Sequence, residues 1–438
     1  MDRGRHTTAR LAAATTLAAL SFTSCTSAEP LPHALVPRIV PTRGESPTSS
    51  IVAFHGRLFG VRSSNFTGPS ILVTSRDGIS WRSQSIPGVP ETTFAQLGEL
   101  QRRGGVLALV GRVDSPTPFG DTTTPNSALY AWTTRDGSTW RGGLAATRPG
   151  TSASYSTTVS MINDTPVLGT TTTDGSFTVV RQGRDGAWTA SHVSGLKVGS
   201  TDSGVGESAQ LESVWNEGRY WTGRVSFAGE TTRPDGGLIR GTGAIGPWSY
   251  TACDPAAECA PALTGAGLTF RGHEVSTDNG RHWKRWRITP TPAREVEQVS
   301  FVSVLRVGNA WIATATAAPP TDRSYGFLLR SVDGQHWRSL IADPCPKRGN
   351  GRPNSNFSPP VTLGDRLWTL YTCSQLGTPD LARLLVGRRD GSEWRIATDL
   401  GDRSVGVGVA AANGTLFIPL PDAHSFDGRP AQVAIVRP

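Results

Sequence analysis

The 438-residue chain has little lysine and methionine, and no hydrophobic run long enough to span a bilayer stably. Only Lys197, Lys284 and Lys347 are lysines, so arginine supplies nearly all of the basic charge behind the formal net charge of +8. No basic cluster is interleaved with aromatic residues, a pattern typical of nucleic-acid-binding surfaces. We therefore expect no nucleic-acid partner. The positive charge favours weak contact with anionic cell-wall polymers or lipid headgroups.

Motifs that identify common active sites are also missing. The sequence has no Gly-x-Ser-x-Gly elbow, no His-Glu-x-x-His pair and no Gly-x-x-x-x-Gly-Lys-Ser/Thr phosphate loop. Its cysteines form no Cys-x-x-Cys pair, which argues against structural zinc. We expect no metal and no cofactor. Paired carboxylates for glycoside hydrolysis stay open, because their separation in space cannot be read from a linear sequence.

The N-terminal segment predicts export. Arg3, Arg5 and Arg10 precede a short apolar stretch over residues 11–22, as in a signal peptide. Residues 22–25, Phe-Thr-Ser-Cys, resemble a bacterial lipobox, although phenylalanine replaces the usual leucine.

The lipobox resemblance implies a signal peptide over residues 1–24, a diacylglycerol on Cys25 and a short tether over residues 25–33. The protein would then be anchored to the outer, extracytoplasmic face of the cell membrane. The alternative is cleavage after Ala28, which removes the lipidated cysteine and gives a secreted protein.

Four further cysteines form an even set: Cys253, Cys259, Cys345 and Cys373. An even number of cysteines in an exported protein predicts disulfide bonds. Three pairings are possible. We favour Cys253 with Cys259 and Cys345 with Cys373, because each pair closes a short local loop between predicted strands.

One short pattern returns at intervals of several tens of residues. It consists of an apolar strand, usually a Ser or Thr, one residue, Asp, Gly, two residues and Trp, and we name each copy an Asp turn. Six copies are recognisable, one shortened and one lengthened, and Gly246-Pro247-Trp248 is a remnant without Asp. The aspartates, glycines and tryptophans of the six copies are Asp77, Gly78 and Trp81; Asp136, Gly137 and Trp140; Asp185, Gly186 and Trp188; Asp278, Gly280 and Trp283; Asp333, Gly334 and Trp337; and Asp390, Gly391 and Trp394.

The Asp turn has a local physical explanation. The carboxylate accepts hydrogen bonds from backbone N–H groups, and the glycine takes a positive φ that other residues resist. The tryptophan opens the outgoing strand and buries its ring between adjacent sheets. We therefore assign these residues structural roles. Among the candidate metal ligands His273, His282 and His336, the last two directly precede a tryptophan, so we interpret them as turn residues.

A second repeat precedes most Asp turns: a turn with Gly or Asn leads into a strand with a large apolar residue. Its copies are Gly56–Phe59, Gly104–Leu107, Asn163–Val167, Gly218–Trp221, Gly308–Trp311, Gly364–Trp368 and Gly414–Phe417. Each repeating unit therefore holds two hairpins, which make the four antiparallel strands of a propeller blade. No amphipathic helical period is visible, so we expect an all-β fold with almost no helix.

Counting the second repeat predicts a single seven-bladed β-propeller over residues 34–438. Eight or six blades are the alternatives, because the interval between Gly218 and Gly308 holds either an insertion pinned by a disulfide or an eighth, shrunken blade. The last blade lacks a fourth strand. Residues 34–40 are expected to supply it and to close the ring, which removes exposed sheet edges.

The Asp turns resemble the Asp-box repeats of the bacterial neuraminidase family, over about residues 50–400. Residues 276–283, Ser-Thr-Asp-Asn-Gly-Arg-His-Trp, fit that family's full pattern. The resemblance implies a sialidase-like propeller with the Asp turns at the periphery of the blades. Such repeats occur in sialidases and in many non-enzymatic propellers, so they say little about chemistry.

In a sialidase, the resemblance would imply an arginine triad that grips a carboxylate, a Tyr–Glu nucleophile pair and an Asp acid. The family's Arg-Ile-Pro sequence has its nearest match in residues 38–41, where Val40 interrupts it. We assign this segment to the closing strand. Glu217 and Tyr220 flank the turn at Gly218, so we expect them to face solvent and the neighbouring sheet.

These observations favour a monomeric, membrane-tethered, non-catalytic binding or scaffolding propeller for a protein or a glycan. The alternative is a sialidase-like exo-glycosidase, which rests on analogy of fold. A structural role in envelope assembly is a third possibility. Long loops on a rigid scaffold often carry function, and tolerated insertion is the alternative for them. The candidate loops are Asp114–Asn126, Gly199–Gln210, Cys253–Cys259, Ala317–Tyr325 and Pro344–Asn356.

Overall fold

The computed structural model describes most of the chain after residue 30. The described residues are 31, 35–44, 47, 51–62, 70–89, 95–103, 105–114, 126–149, 159–162, 165–171, 175–198, 208–217, 219–228, 236–242, 246–252, 262–278, 280–289, 298–318, 325–341, 354–375, 378–401, 408–420 and 432–438. Backbone contacts separate Met1–Leu31 from Pro32–Pro438, and the described strands belong to the second part. The predicted signal peptide and Cys25 lie outside the described residues. Within these ranges, no helix is long and apolar enough to cross a lipid bilayer.

The described strands form eight antiparallel units of four or five strands, and the strand order follows the chain in the first seven of them. Two short strands come first, β1 (Arg38–Pro41) and β2 (Arg43–Gly44). The strands of units 1 to 4 are β3 (Val52–Phe54), β4 (Arg57–Arg62), β5 (Ile71–Ser75) and β6 (Ser80–Ser83); β7 (Ala95–Arg103), β8 (Val106–Asp114), β9 (Asn126–Thr134) and β10 (Arg141–Pro149); β11 (Ser160–Ile162), β12 (Thr165–Thr171), β13 (Ser176–Gln182) and β14 (Trp188–Lys197); and β15 (Ser208–Glu217), β16 (Tyr220–Ala228), β17 (Gly236–Gly241) and β18 (Trp248–Ala252).

Units 5 to 8 continue the pattern. The strands of unit 5 are β19 (Ala262–Gly265), β20 (Leu268–Arg271), β21 (Glu274–Ser276) and β22 (Lys284–Arg285). Those of unit 6 are β24 (Gln298–Val307), β25 (Ala310–Ala318), β26 (Tyr325–Ser331) and β27 (His336–Ser339), and β23 (Arg287–Thr289) lies parallel to β27. Unit 7 begins with β28 (Asn354–Phe357) and β29 (Val361–Leu363), which both pair with β30 (Arg366–Gln375), and continues with β31 (Thr378–Arg388) and β32 (Trp394–Gly401). The strands of unit 8 are β33 (Ala410–Ala412), β34 (Thr415–Leu420) and β35 (Gln432–Val436). Unit 8 takes its fourth strand from β1.

Burial explains which sequences form inner and outer strands. Every residue of the second strand β34, Thr-Leu-Phe-Ile-Pro-Leu, is buried, because neighbouring units cover both of its faces. The fourth strand β6, Ser-Trp-Arg-Ser, buries only its tryptophan and exposes the other three residues. Continuous apolar runs therefore mark inner strands, and isolated tryptophans mark outer ones.

The units form a closed ring, which makes the fold a β-propeller. The first strands of successive units contact one another, β11 with β15, β15 with β19 and β19 with β24, so they are the innermost strands. The last unit returns to the first, since β33 contacts both β3 and β4. The predicted closing strand is confirmed: β1 pairs antiparallel with β35, and Ile39 lies opposite Ala434.

The described strands group into eight units, where the second repeat predicts seven blades with eight or six as the alternatives. The additional unit 5 lies between Gly218 and Gly308, and its strands are two to four residues long. Its first hairpin turns at Ala266 and Gly267, where Ala266 has a φ of +53°. Alanine rarely takes this conformation, so the turn lacks the sequence signal of the second repeat.

The glycines of four Asp turns lie against the second strand of the preceding unit: Gly78, Gly137, Gly334 and Gly391. A Cβ atom on Gly78 of unit 1 would overlap the ring of Phe417 in unit 8, and a Cβ on Gly391 of unit 7 would overlap Ile312 in unit 6. Both glycines have φ values near +70°. Glycine is therefore required at each position for two reasons. It takes this φ without strain, and any side chain would collide with the preceding unit.

We predict that Gly78→Ala lowers the free energy of unfolding by about 1–3 kcal/mol more than Gly414→Ala, because it adds overpacking to the left-handed strain that both variants share. Gly414 is the matched control: its φ is +72°, and nothing lies within 4 Å of an added Cβ. Chemical denaturation measures the difference. Equal losses in the two variants would show that the contact with Phe417 does not stabilise the ring.

Candidate functional site

The Asp turns join the third and fourth strands of their units through a compact hydrogen-bond set. In unit 1, Ser75 Oγ donates to Asp77 Oδ1 at 2.9 Å and accepts from the Gly78 N–H at 2.9 Å. Asp77 Oδ1 also accepts from the N–H groups of Ile79 at 2.9 Å and Ser80 at 2.8 Å. Asp77 Oδ1 thus accepts three of the hydrogen bonds that stabilise the turn.

The tryptophans anchor the turns in two ways. Trp81 and Trp337 donate their Nε1–H groups to the glycine carbonyls of their own turns, at 2.9 and 2.8 Å. Trp188, in the shortened turn of unit 3, donates to the carbonyl of Ala131 in unit 2 at 2.9 Å. The indole therefore stabilises either the turn itself or the junction between units.

Two of the candidate metal ligands contact turn aspartates. Nδ1 of His282 lies 2.5 Å from Asp278 Oδ2, and Nδ1 of His336 lies 2.6 Å from Asp333 Oδ2. His273 packs its ring 5.4 Å from that of Trp286. Among the described residues, no group of three His, Cys, Asp or Glu side chains is arranged to hold a metal ion.

The turn aspartates have lowered pKa values. The backbone N–H groups of Thr139 and Ser138 hold the pKa of Asp136 well below its ordinary value. Burial raises the pKa of Asp77, but the N–H groups of Ser80 and Ile79 outweigh it and lower the pKa overall. Such carboxylates stay ionised in the folded state when unfolded aspartate begins to protonate. Their contribution to stability is therefore fully present above the ordinary aspartate pKa and is lost progressively as the pH falls from there toward the lowered pKa of the folded state.

A cleft of about 600 Å³ lies between the Asp turns of units 2 and 3. We name it the arginine cleft, because the exposed side chains of Arg135, Arg141 and Arg184 line it. Arg141 Nη1 donates to the carbonyl of Arg184 at 3.1 Å and so connects the two units. The other lining residues are Val106, Thr133, Thr134, Asp136, Thr139, Thr165, Pro166, Gln182 and Gly183.

A buried polar bridge supports the arginine cleft. Thr133 Oγ1 donates to Gln182 Oε1 at 2.5 Å, and Gln182 Nε2 donates to the carbonyl of Arg141 at 3.0 Å. Three guanidinium groups face one carboxylate, Asp136, whose Oδ1 already accepts backbone N–H groups. Guanidinium forks hold carboxylate, sulfate and phosphate groups through paired hydrogen bonds. The chemistry of the cleft therefore fits an anionic ligand.

Sequence analysis missed the arginine cleft, although part of its signal is visible. An arginine directly precedes the aspartate in four of the six Asp turns, at Arg76, Arg135, Arg184 and Arg389. Because the turns recur at the same end of each unit, this pairing places arginines beside the junctions between units.

A second, smaller cleft of about 360 Å³ lies where the ring closes. We name it the seam cleft. Arg38 of β1, Arg76 of the unit 1 Asp turn and Arg437 at the end of β35 line it together with Asp77. The remaining lining residues are Val36, Ile79, Asn413, Thr415, Phe417 and Ile435.

The innermost strands carry one described carboxylate, Glu212 of β15. It occupies a register shift between Leu211 and Ser213, where the first strand of unit 4 bulges. Its Oε2 lies 2.9 Å from Nε of Arg224, whose side chain is 11% exposed. The backbone register pairs the sequence-based candidate Glu217 with Tyr220 across the hairpin of β15 and β16, and the side chain of Glu217 lies outside the described part of the structure.

The strand ends that flank the five candidate loops share one face of the ring. In an antiparallel unit, the connection between the second and third strands leaves from the same end as the connection to the next unit. Each of the five loops is one of these two kinds, so their flanking strand ends lie opposite the Asp turns. Most residues of these loops lie outside the described residues.

Cys373 lies on β30, is 6% exposed and is disulfide-bonded. Cys253, Cys259 and Cys345 lie outside the described residues. The pairing of Cys373 with Cys345, and of the other two with each other, therefore stays a prediction.

No protein-family model matches the chain, and no curated protein matches it either. Among solved structures, a prolyl endopeptidase is 12% identical over 88% of this chain, with a TM-score of 0.43, and the chain covers 55% of that protein. An ulvan lyase is 12% identical over 91% of this chain and 95% of its own, with a TM-score of 0.41. The endosialidase of phage phi92 is 14% identical over 92% of this chain and 69% of its own, with a TM-score of 0.35. At these values, the likeness carries no argument about activity.

Proposed function

We propose that this protein is an exported, membrane-tethered propeller of the Asp-box family that binds an anionic glycan without converting it. The arginine cleft carries the proposal. Arg135, Arg141 and Arg184 supply guanidinium forks for sulfate or carboxylate groups, and threonines supply hydroxyl groups on the same walls. A cleft of about 600 Å³ has the size of small-ligand sites.

The innermost strands favour binding over catalysis. Glycoside hydrolysis ordinarily uses two carboxyl groups about 5 to 10 Å apart. Among the side chains described on the first strands, Glu212 is the only carboxylate. The described arginines there do not form a free triad: Arg102 lies over the ring of Phe54 at 5.8 Å and Arg306 over that of Trp311 at 5.2 Å.

Glycoside hydrolysis is the second candidate, and Glu212 is the observation that favours it. A bulge on an innermost strand is a common way to redirect a functional side chain. The ion pair with Arg224 would orient this carboxylate for a role as a nucleophile or base.

We predict that Arg135→Gln/Arg184→Gln weakens binding of sulfated dextran oligosaccharides by about tenfold or more, because two charge-assisted contacts are lost. Titration calorimetry measures the affinity, which should also fall as salt is added. The matched control is Arg285→Gln/Arg338→Gln, which removes two exposed arginines from outer strands of units 5 and 6. It should change the affinity less than twofold.

Three outcomes of this experiment would overturn the binding proposal. The first is equal weakening by both double variants. The second is equal affinity for single-stranded DNA and sulfated dextran, which would mean attraction by charge alone. The third is turnover of fluorogenic glycosides that Glu212→Gln abolishes, which would establish the hydrolase instead.

We predict that Cys25→Ala moves the protein from the membrane fraction to the soluble extracytoplasmic fraction, because a diacylglycerol on this cysteine is the proposed anchor. Fractionation and mass spectrometry of the mature N-terminus measure the change. An unmodified N-terminus at residue 29 in the wild-type protein would support cleavage after Ala28 and contradict lipidation.

A further inference from the structure

We propose that the seam cleft docks the propeller onto an anionic lipid bilayer by binding headgroup phosphates. This inference rests on the proposed membrane tether. Three arginines line the cleft where the ring closes: Arg38 of the first strand, Arg76 of the first Asp turn and Arg437, which directly follows the last strand.

The backbone at the seam holds these arginines in place. Arg38 lies opposite Ile435 in the closing pair of β1 and β35. Asn413 Nδ2 donates to the carbonyl of Arg76 at 3.3 Å and to that of Gly56 at 3.1 Å, so it joins the turns of units 8 and 1. The guanidinium groups thus extend from fixed backbone positions.

The charge at the seam is open to an anion from outside. Arg38, Arg76 and Arg437 are exposed, and no described carboxylate forms an ion pair with any of them. Asp77, the acidic residue of the cleft, has its Oδ1 engaged by two backbone N–H groups. Three positive charges therefore face solvent against one negative charge.

An exposed apolar side chain distinguishes the seam cleft from the arginine cleft. Val36 is 89% exposed and lines the cleft beside Arg38. An apolar side chain flanked by arginines suits the boundary between headgroups and acyl chains, where the apolar group inserts and the cations meet phosphates. A soluble polysaccharide offers such a side chain less apolar surface than an acyl chain does.

The position of the seam cleft in the sequence also favours an anionic bilayer as its ligand. The proposed lipidated residue, Cys25, precedes Arg38 by only 13 positions in the sequence. An anchor at Cys25 would keep this basic patch close to the headgroups, where each arginine adds electrostatic attraction to an anionic surface.

Vesicle binding by the unanchored protein tests the proposal. The full chain with Cys25→Ala is sedimented with vesicles of phosphatidylglycerol and phosphatidylcholine, or of phosphatidylcholine alone. We expect binding to the anionic vesicles only. Adding Arg38→Gln/Arg437→Gln should weaken it by about tenfold or more, since each arginine near an anionic surface contributes about fivefold. Val36→Ser should weaken it less.

Controls separate this result from folding and from the glycan site. Equal denaturation midpoints establish that Arg38→Gln/Arg437→Gln is folded. Arg135→Gln/Arg184→Gln should leave vesicle binding unchanged, so failure of the proposed glycan site would not affect the assay. Excess inorganic phosphate should compete weakly, because it cannot bury Val36.

Two results would overturn the inference. One is anionic-vesicle binding that Arg38→Gln/Arg437→Gln does not reduce. The other is loss of sulfated dextran binding in that variant with vesicle binding intact, which would assign the seam cleft to a polysaccharide.

Discussion

The ring depends on the contact between the glycine of an Asp turn and the side chain that the preceding unit places against it, as at Gly78, Gly137, Gly334 and Gly391. An added Cβ would lie 3.1 Å from Phe59 at Gly137 and 3.0 Å from Leu268 at Gly334, tighter than ordinary contact. Hydrophobic burial drives neighbouring sheets together but has no direction. The turn, held by its aspartate, supplies the direction, because only a residue without a side chain lets the next sheet approach this closely.

The two repeats visible in the sequence are the two sides of this contact. Phe417 belongs to the second repeat of unit 8 and meets Gly78, which belongs to the Asp turn of unit 1. Local turn chemistry has a residue signature, so the strand order and the closing strand were predictable from the sequence. The first hairpin of unit 5 was not, because it turns at Ala266, a residue without a turn preference.

The arginine cleft was hidden for a different physical reason. Arg135 and Arg184 belong to different units, and their proximity follows from the packing of two sheets. The spacing of residues within one unit gives no information about a distance between two units. Only the recurrence of arginine before aspartate was visible, and its meaning depends on knowing which end of each sheet the turns occupy.

A repeated scaffold with variable residues explains how one turn serves both stability and binding. The aspartate and glycine recur because the ring needs them, whereas the residue between Ser or Thr and Asp faces outward and varies. It is arginine in units 1 and 2 and the 60% exposed Val332 in unit 6. The charge of the residue before Asp can therefore differ from one junction to the next while the glycine contact between units is kept.

Closure of the ring is tested most directly by a disulfide bond between the two ends of the propeller. Ile39→Cys/Ala434→Cys places cysteines on directly opposed residues of β1 and β35, a separation that a disulfide spans without strain. Peptide mapping should detect this crosslink in the folded protein. Ile39→Cys/Val433→Cys should not form it, because a shift of one residue turns the second side chain to the opposite face. Free thiols in the first variant, or equal crosslinking in both, would contradict a closed ring.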